Sequence, residues 1–214
     1  MSYRDLECKK IFPISIFKVN IEDNQELKAL LVPNIARNSH YLKIPGLWST
    51  NNVKTSFAGE PKGMEILYDE SPYQKMLIER YSLCMNKIFD RDYQISLGEL
   101  WYNYYSDGEY QEQHDHLGTP LRPFHFSCIH FLSFKRGEHF PPQFVDPLAQ
   151  LRNLSLELDR NGYGDLYVPD VDEGDLLVFP SYLQHSVLPC NKTDYPRITI
   201  SFNFLVTKYG EDFR

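Results

Sequence analysis

The stretch Leu100–His116, LWYNYYSDGEYQEQHDH, decides how the chain is read. It closes an aromatic run from Ile95 to Tyr105 of the kind that favours strands. Ser106-Asp107-Gly108 then marks a turn, and Tyr110 to His116 resumes as a second strand. In a strand, alternate side chains share a face. His114 and His116 therefore point the same way, and Asp115 points away. Two imidazoles at that spacing form part of a metal-ligand set, so the pair predicts strands and a site together.

Working outward, the segments after Tyr93 read as more strands: Phe124 to Phe134, Phe144-Val145 before an Asp146-Pro147 turn, Leu176 to Phe179, Ser181 to Leu188, and Arg197 to Val206. The last alternates strictly through Ile198, Ile200, Phe202 and Phe204. The segment before Tyr93 is more helical. Ile11 to Ile21 alternates around a proline and suggests an edge strand. Asp23 to Leu31 reads as a short helix capped by Asp23 or Asn24, with Pro33 beyond its end. Ser71-Pro72 opens a clearer helix whose apolar face is Leu77, Tyr81, Cys84, Met85 and Ile88. Many short strands behind a helical N-terminal third predict a mainly β fold, a double-stranded β-helix (jelly-roll, cupin-like) core buttressed by helices. One domain over residues 1–214 is expected, with a helical and loop buttress over 1–92 and the jelly-roll core over 93–214.

A net charge of -7 argues against a nucleic-acid surface as the main business. No apolar run approaches the ~20 residues of a membrane span. The polar N-terminus lacks a signal-peptide core, so a cytoplasmic protein is expected. Cys8, Cys84, Cys128 and Cys190 form no C-x-x-C pair, so neither disulfides nor a zinc knot is expected, and Cys84 and Cys128 read as buried thiols. A small-molecule or peptidyl substrate is expected, and a homodimer is left open.

His185, in a strand near the end of the candidate barrel, is the proposed third ligand beside His114 and His116. Asp115 is the alternative if the strand bulges and re-aims it. A third reading takes His116 as the first ligand and leaves one coordination position open to water or halide. Three neutral imidazoles also suit zinc or copper, whereas a carboxylate favours Fe(II). Arg197 and Thr199 share a strand face, and an arginine fork beside a hydroxyl suits a carboxylate held at two points. Arg197 could instead pair with Asp175 or Glu173. Tyr102, Tyr104 and their neighbours could be a packed aromatic ladder only.

These segments together resemble a known family. Ile11-Phe12-Pro13, Trp48-Ser49, Leu100-Trp101-Tyr102-Asn103 with Gly108, His114-Asp115-His116, Ile129-His130-Phe131-Leu132, Phe144-Val145-Asp146-Pro147, Gly174 to Ser181 with His185, and Arg197 to Asn203 are similar in order and spacing to phage-type and bacterial 2-oxoglutarate/Fe(II)-dependent oxygenases, distant relatives of prolyl hydroxylases. The resemblance implies Fe(II), 2-oxoglutarate as co-substrate and O2. Hydroxylation of a substrate would follow, with succinate and CO2 as co-products. It implies His114 and His185 as ligands and Arg197 as the co-substrate's carboxylate partner. Tyr104, ten residues before His114, would lie near the co-substrate, with Thr199 or Phe131 lining the same pocket. Trp101, Asn103 and His130 are candidates for the substrate. The family pattern is His-x-Asp, and His116 stands where the carboxylate would. Asn34 to Glu60 and Leu148 to Val168 are candidate substrate lids. Two other classes remain, a three-histidine cupin-type metalloenzyme that uses no 2-oxoglutarate and a non-catalytic jelly-roll binding module.

Overall fold

The structure, a computed structural model, describes residues 14–41, 53–57, 72–89, 93–119, 122–149, 165–190 and 194–208. The motifs at Ile11-Phe12-Pro13 and Trp48-Ser49, the proposed cap Ser71 and most of both candidate lids lie outside them.

Two β-sheets face each other. The larger has six strands in the order β1-β10-β7-β12-β3-β2. These are β1 (Phe17–Asn20), β2 (Lys54–Thr55), β3 (Tyr93–Tyr105), β7 (Phe126–Ser133), β10 (Asp175–Pro180) and β12 (Arg197–Lys208). The smaller has the order β4-β11-β8-β9, from β4 (Gln111–His114), β8 (Pro142–Val145), β9 (Leu166–Tyr167) and β11 (His185–Val187). A short hairpin pairs β5 (Gly118–Thr119) with β6 (Arg122–Pro123). All described ladders are antiparallel, and β1 is an edge strand, as its sequence suggests. This is a double-stranded β-helix.

Helices α1 (Asn24–Asn38) and α2 (Pro72–Ile88) cover one face of the large sheet. Strand parity divides its residues between two cores. Tyr102, Cys128, Leu132, Leu176, Val178, Ile198, Ile200, Phe202 and Phe204 pack towards the helices, against Leu27, Leu31, Ile35, Leu77, Tyr81 and Met85. Ile129, Phe131, Leu177 and Phe179 point the other way and meet Phe144 of the small sheet. The site lies on this second side, between the sheets.

The first helix corrects the sequence reading. It continues through Pro33 to Asn38, because its buried stripe runs on through Leu27, Leu31 and Ile35 while Pro33 lies on the exposed side. The Leu30 carbonyl, one turn back, accepts from the Asn34 side-chain amide at 2.8 Å. Asp23 occupies the cap position but makes no capping bond; its carboxylate pairs with Arg80 of α2. Residues 34–38 are therefore helix, where the sequence reading has a loop beginning at Asn34.

Two glycines are required by their surroundings. Gly174 turns the chain into β10 at φ +89°, and its N–H donates to the Phe131 carbonyl at 2.9 Å. Gly98 lets the Phe124 ring approach so closely that an added Cβ would sit 2.1 Å from ring atom Cε1. Among the described residues, no helix is long and apolar enough to cross a membrane. Cys84, Cys128 and Cys190 are buried free thiols.

Candidate functional site

Strand pairing assembles the histidines. His185 on β11 stands directly opposite His114 on β4, the position at which side chains on one face of a ladder touch. Strand β4 ends at His114, two residues short of the strand that the sequence predicts through His116. The backbone is still pinned there, because the His116 N–H donates to the Ser181 carbonyl at 2.9 Å. His116 consequently turns inward with His114. Ring centroids are 5.1 Å apart for His114–His116, 4.4 Å for His114–His185 and 5.0 Å for His116–His185. One ligand atom from each lies within 4.8 Å of the others.

Hydrogen bonds select which nitrogen faces inward. His114 Nδ1 lies 2.7 Å from the Glu112 carbonyl, and His185 Nδ1 lies 3.1 Å from the Leu183 carbonyl. A carbonyl only accepts, so both Nδ1 atoms carry hydrogen and both Nε2 atoms keep a lone pair. His116 Nδ1 lies 3.0 Å from Asn203 Oδ1 and takes the same tautomer. Burial holds all three below the ordinary histidine value, His116 down to about 3. Neutral imidazoles with a bonded Nδ1–H and the lone pair on Nε2 are the form a metal ion takes up.

Asp115 is outside this group. It is exposed, and its Oδ1 accepts from the Leu117 N–H at 3.3 Å. The β4–β11 register does shift between Gln111 and His114, but this leaves Asp115 facing solvent.

A narrow recess runs inward from the histidines. It is lined by Trp101, Asn103 and Tyr105 of β3, by Ile129, and by Arg197, Thr199 and Ser201 of β12. Arg197 is 1% exposed, and its Nε and Nη1 have no hydrogen-bond partner. Its guanidinium carbon lies 4.3 Å from the Tyr105 ring centroid and 5.9 Å from that of Phe131. Neither carboxylate considered as its partner takes it up. Asp175 bonds Asn20 and the Asp172 N–H, and Glu173 bonds Lys28 and Gln25. A buried cation with open donors is costly, because an unpaired charge in a low-dielectric interior is strongly disfavoured. Arg197 therefore calls for an anionic partner, for which the recess, about 10 Å³ as it stands, would have to widen. Asn103 adds a second open group, since its Oδ1 is buried without a partner.

Outside the triad the recess opens into a cavity of about 260 Å³ lined by Phe57, Glu99, Trp101, Gln111, His114, Asp115, His116, Phe124 and Asn203. Phe57 and Trp101 pack at 5.0 Å between ring centroids.

Two residues named from the sequence fall elsewhere. Tyr104 shares parity with Tyr102 and packs towards the helices, with Lys54 Nζ 5.6 Å from its ring centroid. Tyr105 is the tyrosine on the recess. Its hydroxyl donates to Gln111 Oε1 at 2.7 Å, and burial pushes it up to about 12 against the opposing pull of Arg197. Counting residues back from His114 selects Tyr104, and strand parity from Trp101 and Asn103 selects Tyr105. His130 is fully buried on the helix side. Its Nδ1 is 3.0 Å from the Tyr81 hydroxyl and its Nε2 is 2.8 Å from Asn24 Oδ1. It cannot meet a substrate in the cavity. Phe131 lies beneath Arg197, while Trp101, Asn103 and Thr199 line the recess. The reading missed Tyr105, Gln111, Glu99 and Asn203; parity from Arg197 through Thr199 and Ser201 would have flagged Asn203.

The jelly roll thus brings together three imidazoles that could hold a metal ion and, along the same recess, a buried arginine with open donors. Residues 99–203 match the model of the family described as "Putative 2OG-Fe(II) oxygenase", and all three histidines and Arg197 fall within that segment. Among solved structures, a Pseudomonas putida prolyl-4-hydroxylase is similar at TM-score 0.57 and 14% identity, over 89% of this chain and 92% of that one. HygX from Streptomyces hygroscopicus, with nickel, 2-oxoglutarate and hygromycin B bound, is similar at TM-score 0.56 and 13% identity, over 89% and 82%. A Trichoplax adhaerens prolyl hydroxylase, in complex with a hypoxia inducible factor peptide fragment, is similar at TM-score 0.57 and 13% identity, over 88% and 83%. No curated protein matches the chain. The family match agrees with the resemblance that the motifs carry, to 2-oxoglutarate/Fe(II)-dependent oxygenases, and the solved structures share the fold.

Proposed function

We propose that the chain hydroxylates a C–H bond of an organic substrate, using Fe(II), 2-oxoglutarate and O2 and releasing succinate and CO2. One observation carries the reading: the open donors of buried Arg197 line the same recess as the imidazoles of His114, His116 and His185. A dicarboxylic co-substrate answers both, with one end for the metal and the other for the guanidinium.

In this reading, His114, His116 and His185 hold the metal. Bound iron with 2-oxoglutarate supplies the activation of O2. The rest falls to the chain's own groups. Arg197 binds the far carboxylate between the Tyr105 and Phe131 rings, where low polarity strengthens a charge pair. Thr199 and Asn103 flank it. Trp101 and the walls of the wider cavity orient the substrate and keep water off, which is where positioning contributes to rate. The cavity volume, about 260 Å³, suits an amino-acid-sized group better than a bulky ligand. A small molecule or one residue of a peptide fits that description. Net charge -7 favours neither nucleic acid nor an anionic membrane surface. We read all 214 residues as one oxygenase domain acting in the cytoplasm, which suits its buried free thiols.

The all-histidine set favours a second reading, a three-histidine metalloenzyme in which Arg197 binds the substrate's own carboxylate. Conversion of 2-oxoglutarate to succinate by the Fe(II)-loaded protein separates the two. Succinate above the metal-free control supports the first. Iron binding with no effect of 2-oxoglutarate supports the second.

A further inference from the structure

The three histidines are not held alike. His114 and His185 are fixed by backbone carbonyls, Glu112 O and Leu183 O, which no substitution removes. His116 depends on a side chain, Asn203, whose Oδ1 lies 3.0 Å from Nδ1. An amide can be turned over, and the reversed amide would present N–H to His116 and select the wrong tautomer. The orientation of Asn203 therefore decides which nitrogen of His116 is bare.

Glu99 settles that orientation. Its Oε2 lies 3.3 Å from Asn203 Nδ2, and a carboxylate accepts only, so the amide nitrogen must face it. Asn203 Oδ1 then turns to His116 and also accepts from the Ser127 hydroxyl at 2.8 Å. Ser127 in turn lies 2.9 Å from the Ser181 hydroxyl, and Ser181 is the residue whose carbonyl holds the His116 N–H. Asn203 is 3% exposed and Ser127 and Ser181 are buried, so little water competes for the bonds among them, whereas Glu99 meets the amide from the solvent side.

We propose that Asn203 is a positioning residue for the metal centre and that it relays the Glu99 carboxylate to His116. The negative group missing from the ligand set thus acts one amide further out. It orients the ligand that stands in the carboxylate's place and makes its Nε2 the ligating atom. This inference rests on the three histidines holding a metal, although its first consequence concerns the metal-free protein.

Long-range 15N–1H NMR of the metal-free protein reads the His116 tautomer directly, and Co(II) titration reads affinity. The wild type should show His116 protonated at Nδ1 alone. Asn203→Leu should give a tautomer mixture and weaken Co(II) by about 10- to 100-fold, the usual range for a lost outer partner. Glu99→Leu, at an exposed position where folding is not at stake, should shift the tautomer in the same direction and weaken Co(II) by less. Glu99→Gln offers an acceptor again and should restore most of both. An unchanged His116 tautomer in Glu99→Leu and Asn203→Leu would overturn the relay. A wild type that binds no Co(II) would instead defeat the metal reading, while the tautomer result would still test the relay.

Discussion

His130 and His185 are both buried histidines on strands of the jelly roll, and both are held neutral by desolvation. They differ in what their nitrogens meet. His130 has both occupied, by Tyr81 and Asn24, on the helix side of the large sheet. His185 has one occupied by a backbone carbonyl and turns the other towards His114 and His116. Burial and a lowered pKa therefore do not identify a functional histidine. What the nitrogens face does: both nitrogens of His130 are bonded within the protein, whereas His185 is grouped with two further imidazoles.

The comparison breaks most visibly at His185. His185→Ala should lower metal affinity by more than ~100-fold, beyond what loss of an outer partner costs, whereas His130→Leu should leave affinity unchanged. Metal content after equilibrium dialysis checks both. Next in size is Arg197→Met, which should weaken 2-oxoglutarate by about 100-fold, as removal of one partner of a buried charge pair does. Metal content should stay, and apo-protein stability should not fall, because an unpaired buried charge has been removed.

His130 carries the stability side of the contrast. His130→Leu orphans the Tyr81 hydroxyl and the Asn24 carbonyl and should cost about 1–3 kcal/mol for each, read by denaturant unfolding. It also sets a pH dependence. The unfolded chain protonates His130 near 6.5, and the folded chain only near 3, so protons favour unfolding. The stability tied to this neutral histidine is full above pH 6.5 and is lost as pH falls towards 3, by up to about 1.4 kcal/mol per unit. Unfolding of apo wild type and His130→Gln at pH 7.5 and 5 should show the shallower slope in the variant. The smallest effect separates neighbouring tyrosines. Tyr104→Phe should leave the 2-oxoglutarate KM unchanged, whereas Tyr105→Phe, beside Arg197, should raise it several-fold.

The framework was legible because it depends on local pattern. Alternation predicts β12, the caps and apolar spacing predict α2, and parity places Arg197 and Thr199 together. The His114, His116 and His185 set was legible from spacing and order. Other features depend on which side of a sheet becomes which core. Tyr104 and His130 each have a neighbour of opposite parity, and only packing against α1 and α2 says which side the helices cover. Helix α1 passes Pro33 because its buried face outweighs a proline on the solvent side. Asn203 and Glu99 were unreadable as a pair, since 104 residues separate them and only the β3–β12 ladder brings them together.

The central claim, that one recess takes a metal at its mouth and a dicarboxylate at Arg197, is tested most directly by anaerobic addition of 2-oxoglutarate to the Fe(II)-loaded protein. The account predicts a weak visible charge-transfer band that saturates with 2-oxoglutarate in the wild type, needs about 100-fold more of it in Arg197→Met, and is absent in His185→Ala. Stoichiometric Fe(II) with no band at any 2-oxoglutarate concentration would contradict it.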